Sequence, residues 1–199
     1  MSQFYATLNR LKHIKRWGLK RNAFEENVKE HSFDVSVVAH LLCVIKNEMF
    51  GSDLDVGYVV MAALYHDAHE CLTGDLPTPI KNFSEDIHHT YKKLEGFAAR
   101  SLVNTLPEKM RSHFKPFVTE SVPDDVKIIV KAADTICAYA KCIEELDSGN
   151  LEFKEAKTDI ENRLKAFDSP EVKYFMEHML PAMHLSVDEL LKDIASSKS

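Results

Sequence analysis

The chain has 199 residues, 45% of them hydrophobic and 28% charged, with a net charge of -6. A chain of this size buries roughly 70% of its unfolded surface and folds as a soluble globular domain with its own core. The acidic balance excludes general binding of polymeric nucleic acid through a basic surface, and no apolar run approaches the ~20 residues of a membrane span.

Met1-Ser-Gln-Phe-Tyr5 has no charged segment leading into an apolar stretch, so no secretory signal is expected. Cys43, Cys71, Cys137 and Cys142 show no C-x-x-C spacing. Reduced thiols and a cytoplasmic location are the expectation. The charge is uneven: the first 24 residues lack Asp and Glu but hold Arg10, Lys12, Lys15, Arg16, Lys20 and Arg21. Such a segment can receive a small anion; for most of these six a solvated helix face explains as much.

Phe4, Leu8, Leu11 and Ile14 step at helical spacing, which predicts a first amphipathic helix near 3–14. A polar loop through Asn22–Asn27 follows. Val35, Val38, Leu42 and Ile45 place a second helix near 29–49, with His31 in its first turn. After Gly51, a third helix is expected from about Asp55 to Asp67. Ala68–Leu72 reads as its continuation or as a short turn before Gly74. Asp75-Leu-Pro-Thr-Pro-Ile80 reads as a stiff non-helical loop, because Pro77 and Pro79 fix their own φ and restrict their predecessors.

Ser84 can cap a long helix to about Thr105, and Pro107 suits the start of a short one. Val126, Val130, Ala133 and Cys137 share one face of a helix over 124–146, with Gly149 as its stop. Further helices are expected at 152–166, from Ser169-Pro170, and from Ser186, where Ser186 and Glu189 form a capping-box pattern. No Asn-Gly or Asp-Gly hairpin turn occurs, and no strand-like alternation is sustained. The fold class is all-α.

The apolar run Val59-Val-Met-Ala-Ala-Leu-Tyr65 ends in His66-Asp67, with Glu70 one turn on. A neutral imidazole and a carboxylate can share one divalent ion, and a second carboxylate can handle the proton of an attacking water. Asp67 near a helix C-terminus also asks for a compensating cation. His31 and Asp134 are the candidates to complete the set. His31 reads equally as a surface histidine in a helix first turn. Asp134 borders the Val130–Cys137 stripe, where a carboxylate is paired or metal-bound; a salt bridge to Lys131 or Lys127 is the alternative. Glu70 fits a helix-end carboxylate paired with a lysine as well as it fits a catalytic group. Trp17, the only tryptophan, fits a core or packing residue. Two imidazoles and two carboxylates suit Mn, Co, Fe or Zn, and lack the thiolates of a structural zinc site. Metal-assisted hydrolysis is the reaction class this chemistry indicates. His88-His89 points two ways around a helix and reads as surface. The H-E-x-x-H order of zincins is absent.

The order His31…His66-Asp67…Asp134 resembles that of the HD-domain metal-dependent phosphohydrolases. Lys15-Arg-Trp17, Glu30-His-Ser32, Tyr65-His-Asp-Ala-His-Glu70, Thr73-Gly-Asp-Leu-Pro-Thr-Pro79, Lys131-Ala-Ala-Asp134, Ala138-Tyr-Ala-Lys-Cys142 and the Phe175…His184-Leu-Ser186 region resemble the bacterial 5′-deoxyribonucleotidases of the YfbR type. This resemblance implies a single helical HD domain over 1–199, with metal-ligand helices at roughly 29–149 and C-terminal helices at 152–195 packed on them. It implies one divalent ion per chain, Co2+ or Mn2+ first and Zn2+, Cu2+ or Fe2+ after them, held by His31, His66, Asp67 and Asp134.

The implied reaction is hydrolysis of deoxyribonucleoside 5′-monophosphates to deoxynucleoside and phosphate, broad for the base and selective for 2′-deoxyribose. Glu70 and Asp75 are the implied catalytic carboxylates. Arg16, Trp17, Asp75, Pro77 and Thr78 form the implied substrate site, beside His31, Asp67 and Asp134. His69 stands where related sequences carry a small residue. A homodimer is implied. Rival readings are an HD phosphohydrolase acting on a dNTP, an alarmone or a cyclic nucleotide, and a degenerate nucleotide-binding regulatory module. The short chain and the intact ligand set speak against both.

Overall fold

A computed structural model describes residues 1–196, with side chains through Lys192. The helices are α1 Phe4–Leu8, α2 Val28–Phe50, α3 Val56–Tyr65, α4 Glu70–Thr73, α5 Thr78–Lys81 and α6 Glu85–Asn104, followed by α7 Glu108–Val118, α8 Asp124–Asp147, α9 Lys154–Lys165, α10 Pro170–His178 and α11 Val187–Ser196. No strand occurs among the described residues beyond one antiparallel bridge, Lys15 to Asn27. Among the described residues no helix is long and apolar enough to cross a membrane.

Local chemistry explains several helix ends. Asn27 and Glu30 form a capping box that starts α2, and Gly51 closes it at φ +70°. Asp55 accepts from Tyr58 N–H at the start of α3, and Ser84 from Ile87 N–H at the start of α6. Ser186 and Glu189 exchange hydrogen bonds as their pattern predicts.

Three expectations differ from the outcome. The segment near 3–14 is not one helix, since α1 passes into a 3-10 turn at Asn9–His13. No side-chain cap or first-turn acid holds it, so its path follows the docking of Phe4 and Leu11. The third helix ends at Tyr65, leaving His66 as its cap and Asp67 in the following turn. The loop after Asp75 is not wholly irregular, because α5 opens at Thr78. Pro79 lies in its first turn, where no intrahelical N–H is required of it.

Two apolar clusters make the core. One joins α2, α3 and α8–α10 through residues such as Val35, Leu42, Val59, Ile136 and Phe153. The other joins α1, α4, α6 and α7 through Phe4, Leu11, Ala68, Leu102 and Val118. α2 runs through both, with Val28 in the second cluster and Val35 in the first. His31 lies between them on the same stripe and is fully buried. The α3–α4 segment repeats this pattern, with Ala62 and Ala63 in one cluster, Ala68 in the other, and His66-Asp67 between. The polar site therefore sits where the two clusters meet.

The segment from Ile14 to Val28 is pinned at both ends and at its tip. Val28 N–H donates to Ile14 O and Arg16 N–H to Glu26 O, each at 3.0 Å. At the tip, Glu145 of α8 accepts from Ala23 N–H at 2.8 Å, Phe24 N–H at 3.1 Å and Asn150 Nδ2 at 2.7 Å. Lys141 pairs with the same carboxylate and donates to Phe24 O. Both charged side chains are buried. Removing one member leaves the other charge uncompensated. Glu145→Ala is therefore expected to lower unfolding free energy by about 3–5 kcal/mol, read from the urea midpoint; a loss within the range of about 0–1 kcal/mol of a surface pair would contradict this role.

Candidate metal centre

His31, His66 and Asp134 each offer a ligand atom within 4.8 Å of the others. His31 Nε2 lies 3.2 Å from Asp134 Oδ1 and 3.6 Å from Asp67 Oδ2. His66 Nε2 lies 3.1 Å from Asp67 Oδ2. Four side chains from α2, the α3–α4 turn and α8 thus converge. The alternative of an exposed His31 is excluded by its burial. The Lys131 pairing of Asp134 also occurs, at 2.8 Å, through the oxygen that does not face His31.

The imidazoles fit a metal. His66 Nδ1 lies 2.7 Å from Ala63 O, which places a proton on Nδ1 and leaves Nε2 as the atom that would donate to a cation once the cation displaces its proton. His31 Nδ1 faces Glu26 Oε1 at 3.2 Å, so its Nε2 points the same way. Both Nε2 atoms are buried without a hydrogen-bond partner. Orphaned imidazole nitrogens beside two carboxylates are a donor set for a divalent ion.

The electrostatics follow from crowding. Burial opposes charge on His66, yet Asp67 and Asp134 outweigh it and push the imidazole up to about 9. Burial likewise opposes the Asp67 and Asp134 carboxylates. His66, His31 and Arg16 hold Asp67 well below the usual range, and His31 and Lys131 do so for Asp134. Glu70 goes the other way: burial, Asp67 and Asp75 push it up to about 9, against Lys81 and Arg16. It is 1% exposed, its Oε1 is 3.7 Å from Lys81 Nζ, and its Oε2 has no partner. The lysine pairing considered for Glu70 is thus present but loose.

A cavity of about 1160 Å³ opens over this group. Arg16, Trp17, Glu70, Asp75, Pro77 and Thr78 line it with His66, Asp67 and Asp134. Arg16 Nη1 is 3.4 Å from Asp67 Oδ2, which supplies the cation that Asp67 requires. Trp17 packs on Phe153 with ring centroids 5.2 Å apart and donates Nε1–H to Glu26 Oε2 at 2.9 Å. Its φ is +58°, a strained conformation for a residue with a Cβ, costing about 1–3 kcal/mol. His69 turns away from this group. Its Nε2 lies 3.5 Å from Glu95 Oε1 on α6.

Glu26, Lys81 and Glu95 are neighbours of the site that sequence reasoning missed. Glu26 and Lys81 lie outside any periodic stripe. Glu95 shares its buried face with Ala98, Ala99 and Leu102, and a carboxylate on an apolar face was a signal that could have found it.

Similarity to known proteins gives the family. A family model described as 5′-deoxynucleotidase YfbR-like matches residues 3–183. Proteins called 5′-deoxynucleotidase YfbR from Shigella boydii and Escherichia coli are 49% identical over 193 residues, covering 96% of this chain and 97% of theirs. An HD-domain phosphohydrolase from Listeria innocua superimposes with a TM-score of 0.81 at 20% identity, covering 98% of this chain and 96% of that one. The HD phosphohydrolase DatZ of cyanophage S-2L, solved with dA and one catalytic Zn2+ ion, superimposes with a TM-score of 0.57 at 20% identity, covering 88% and 95% of the two chains. The all-α fold is thus that of the HD-domain phosphohydrolases, and the chain belongs to the YfbR-like 5′-deoxynucleotidase family.

Proposed function

We propose that the protein is a metal-dependent 5′-deoxyribonucleotidase, releasing phosphate from deoxyribonucleoside 5′-monophosphates. The observation that carries this reading is the convergence of His31, His66, Asp67 and Asp134 under a cavity walled by Arg16 and Trp17. Those four residues would hold one divalent ion, with Co2+ or Mn2+ the first choices for a mixed N/O set. Such an ion polarises a phosphate oxygen and lowers the pKa of an attacking water.

The chain's own residues supply the rest. Arg16 grips phosphate oxygens with its guanidinium once an ion shares the charge of Asp67. Glu70, protonated at neutral pH by its surroundings, donates a proton to the departing 5′-oxygen. Asp75 accepts from the sugar 3′-hydroxyl, held by the Pro77–Pro79 segment, with Thr78 beside it. Trp17 closes the space a 2′-hydroxyl would need, which selects by exclusion. No base-reading motif is present, so the base is broadly tolerated.

Two broader features complete the proposal. Phe33, Val37, Leu41 and Val44 form an exposed apolar stripe on α2, which supports a homodimer. All four cysteines are unpaired and buried, which supports a reducing cytoplasm.

Three outcomes test the reading. Exhaustive chelation is expected to abolish phosphate release from dAMP, and Co2+ or Mn2+ to restore it; full activity in metal-free protein would refute the metal assignment. Glu70→Gln keeps the shape but cannot titrate, so kcat is expected to drop by about 10²–10⁴-fold with KM nearly unchanged; steady-state kinetics with near-normal kcat would remove Glu70 from the chemistry. Trp17→Ala is expected to raise kcat/KM for AMP relative to dAMP by about 10- to 100-fold. An unchanged ratio would take Trp17 out of the sugar pocket.

A further inference from the structure

Glu26 lies outside every motif that carries the family resemblance, yet its carboxylate faces three residues of the site. Oε2 accepts from Trp17 Nε1–H at 2.9 Å. Oε1 lies 3.2 Å from His31 Nδ1 and 3.4 Å from Arg16 Nε. Its backbone carbonyl accepts from Arg16 N–H at 3.0 Å, so the residue also closes the loop that carries Trp17. Neither His31 Nδ1 nor Arg16 Nε has an aligned hydrogen bond. Three N–H groups therefore converge on one carboxylate, His31 and Arg16 at Oε1 and Trp17 at Oε2.

The geometry assigns Glu26 as the positioning residue that links the metal centre to the sugar-selecting wall. This assignment rests on the deoxynucleotidase reading above. Through Oε1, 3.2 Å from His31 Nδ1, Glu26 favours the proton on that nitrogen and leaves Nε2 for a cation. Through Oε2, it holds the Trp17 indole, whose left-handed backbone needs outside support. Fixing the His31 ring at an ion fixes the carboxylate it faces, and with it the place of the Arg16 and Trp17 side chains that face the same carboxylate. Ion occupancy and the shape of the sugar pocket are then coupled, and the coupling is reciprocal.

Glu26→Gln breaks this link without changing its shape. A carboxylamide has one accepting oxygen, and its NH2 group would face an N–H. The variant can serve His31 or Trp17 but not both. Trp17 is the only tryptophan, so its fluorescence reports the wall alone, and Zn2+ is a non-quenching probe.

In the metal-free wild type, Zn2+ titration is expected to shift Trp17 emission. In Glu26→Gln, Zn2+ affinity by chelator competition is expected to fall by about 10- to 100-fold. Its emission should no longer respond at saturating Zn2+, and the dAMP over AMP preference should fall about tenfold, as for one lost buried hydrogen bond. Glu25→Gln, an exposed neighbour paired with Lys15 at 2.5 Å, should match wild type.

Where circular dichroism shows the amide variant unfolded, Glu26→Asp carries the same test, since the shorter acid cannot span His31 and Trp17 together. Wild-type values of either Zn2+ affinity or sugar preference in a folded variant overturn the link. A wild type that neither binds Zn2+ nor prefers dAMP sinks the deoxynucleotidase reading and this assignment with it. A wild type that does both, beside an indistinguishable variant, sinks this assignment alone.

Discussion

Two carboxylates and two imidazole nitrogens are pressed together where two apolar clusters meet, and that crowding is the constraint on which the site depends. Asp67 and Asp134 cannot share a buried position without positive charge close by. His66, Arg16 and Lys131 provide it at 2.8 to 3.4 Å. A divalent ion would provide it more compactly, because it can meet both Nε2 atoms and both carboxylates at once. The core around them is already packed, so the ligands have little freedom to separate.

The same field sorts the carboxyl groups by role. Asp67 and Asp134 stay ionised because cations face them. Glu70, a turn away, meets burial and two negative neighbours before it meets Lys81. One environment thus keeps two carboxylates charged and a third protonated. Such a division suits phosphate ester hydrolysis, in which charge on the phosphate must be neutralised while a proton reaches the leaving oxygen.

The loop from Ile14 to Val28 brings Arg16 and Trp17 to the cavity over this centre. Its ends are tied backbone to backbone, and its tip is held by the buried Glu145–Lys141 pair of α8. α8 also carries Asp134 three helical turns earlier. One helix therefore positions Asp134 at one point and the loop that bears Arg16 and Trp17 at another. The strained φ of Trp17 is tolerated because the loop is fixed on both sides and the indole is held by Phe153 and Glu26.

Much of this was legible in the chain. Helical periods and caps read α2, α6 and α8 closely, because each helix buries one stripe and its ends answer to local hydrogen bonding. His66-Asp67 stood out because polar groups ended an apolar run, and Asp134 because it bordered one. The stop of α3 at Tyr65 and the start of α5 at Thr78 were less legible, since short segments follow tertiary docking more than propensity. Glu26, Lys81 and Glu95 were not found. By itself the sequence determined the long helices, the likeness to a metal phosphohydrolase family and the set of candidate ligands. Only the tertiary structure decided that His31 is buried rather than exposed, that Arg16 faces Asp67, and that Glu26 touches both His31 and Trp17. The Arg16–Asp67 contact joins segments far apart in the chain, the Glu26 contacts depend on the path of an irregular loop, and no local period or cap encodes either.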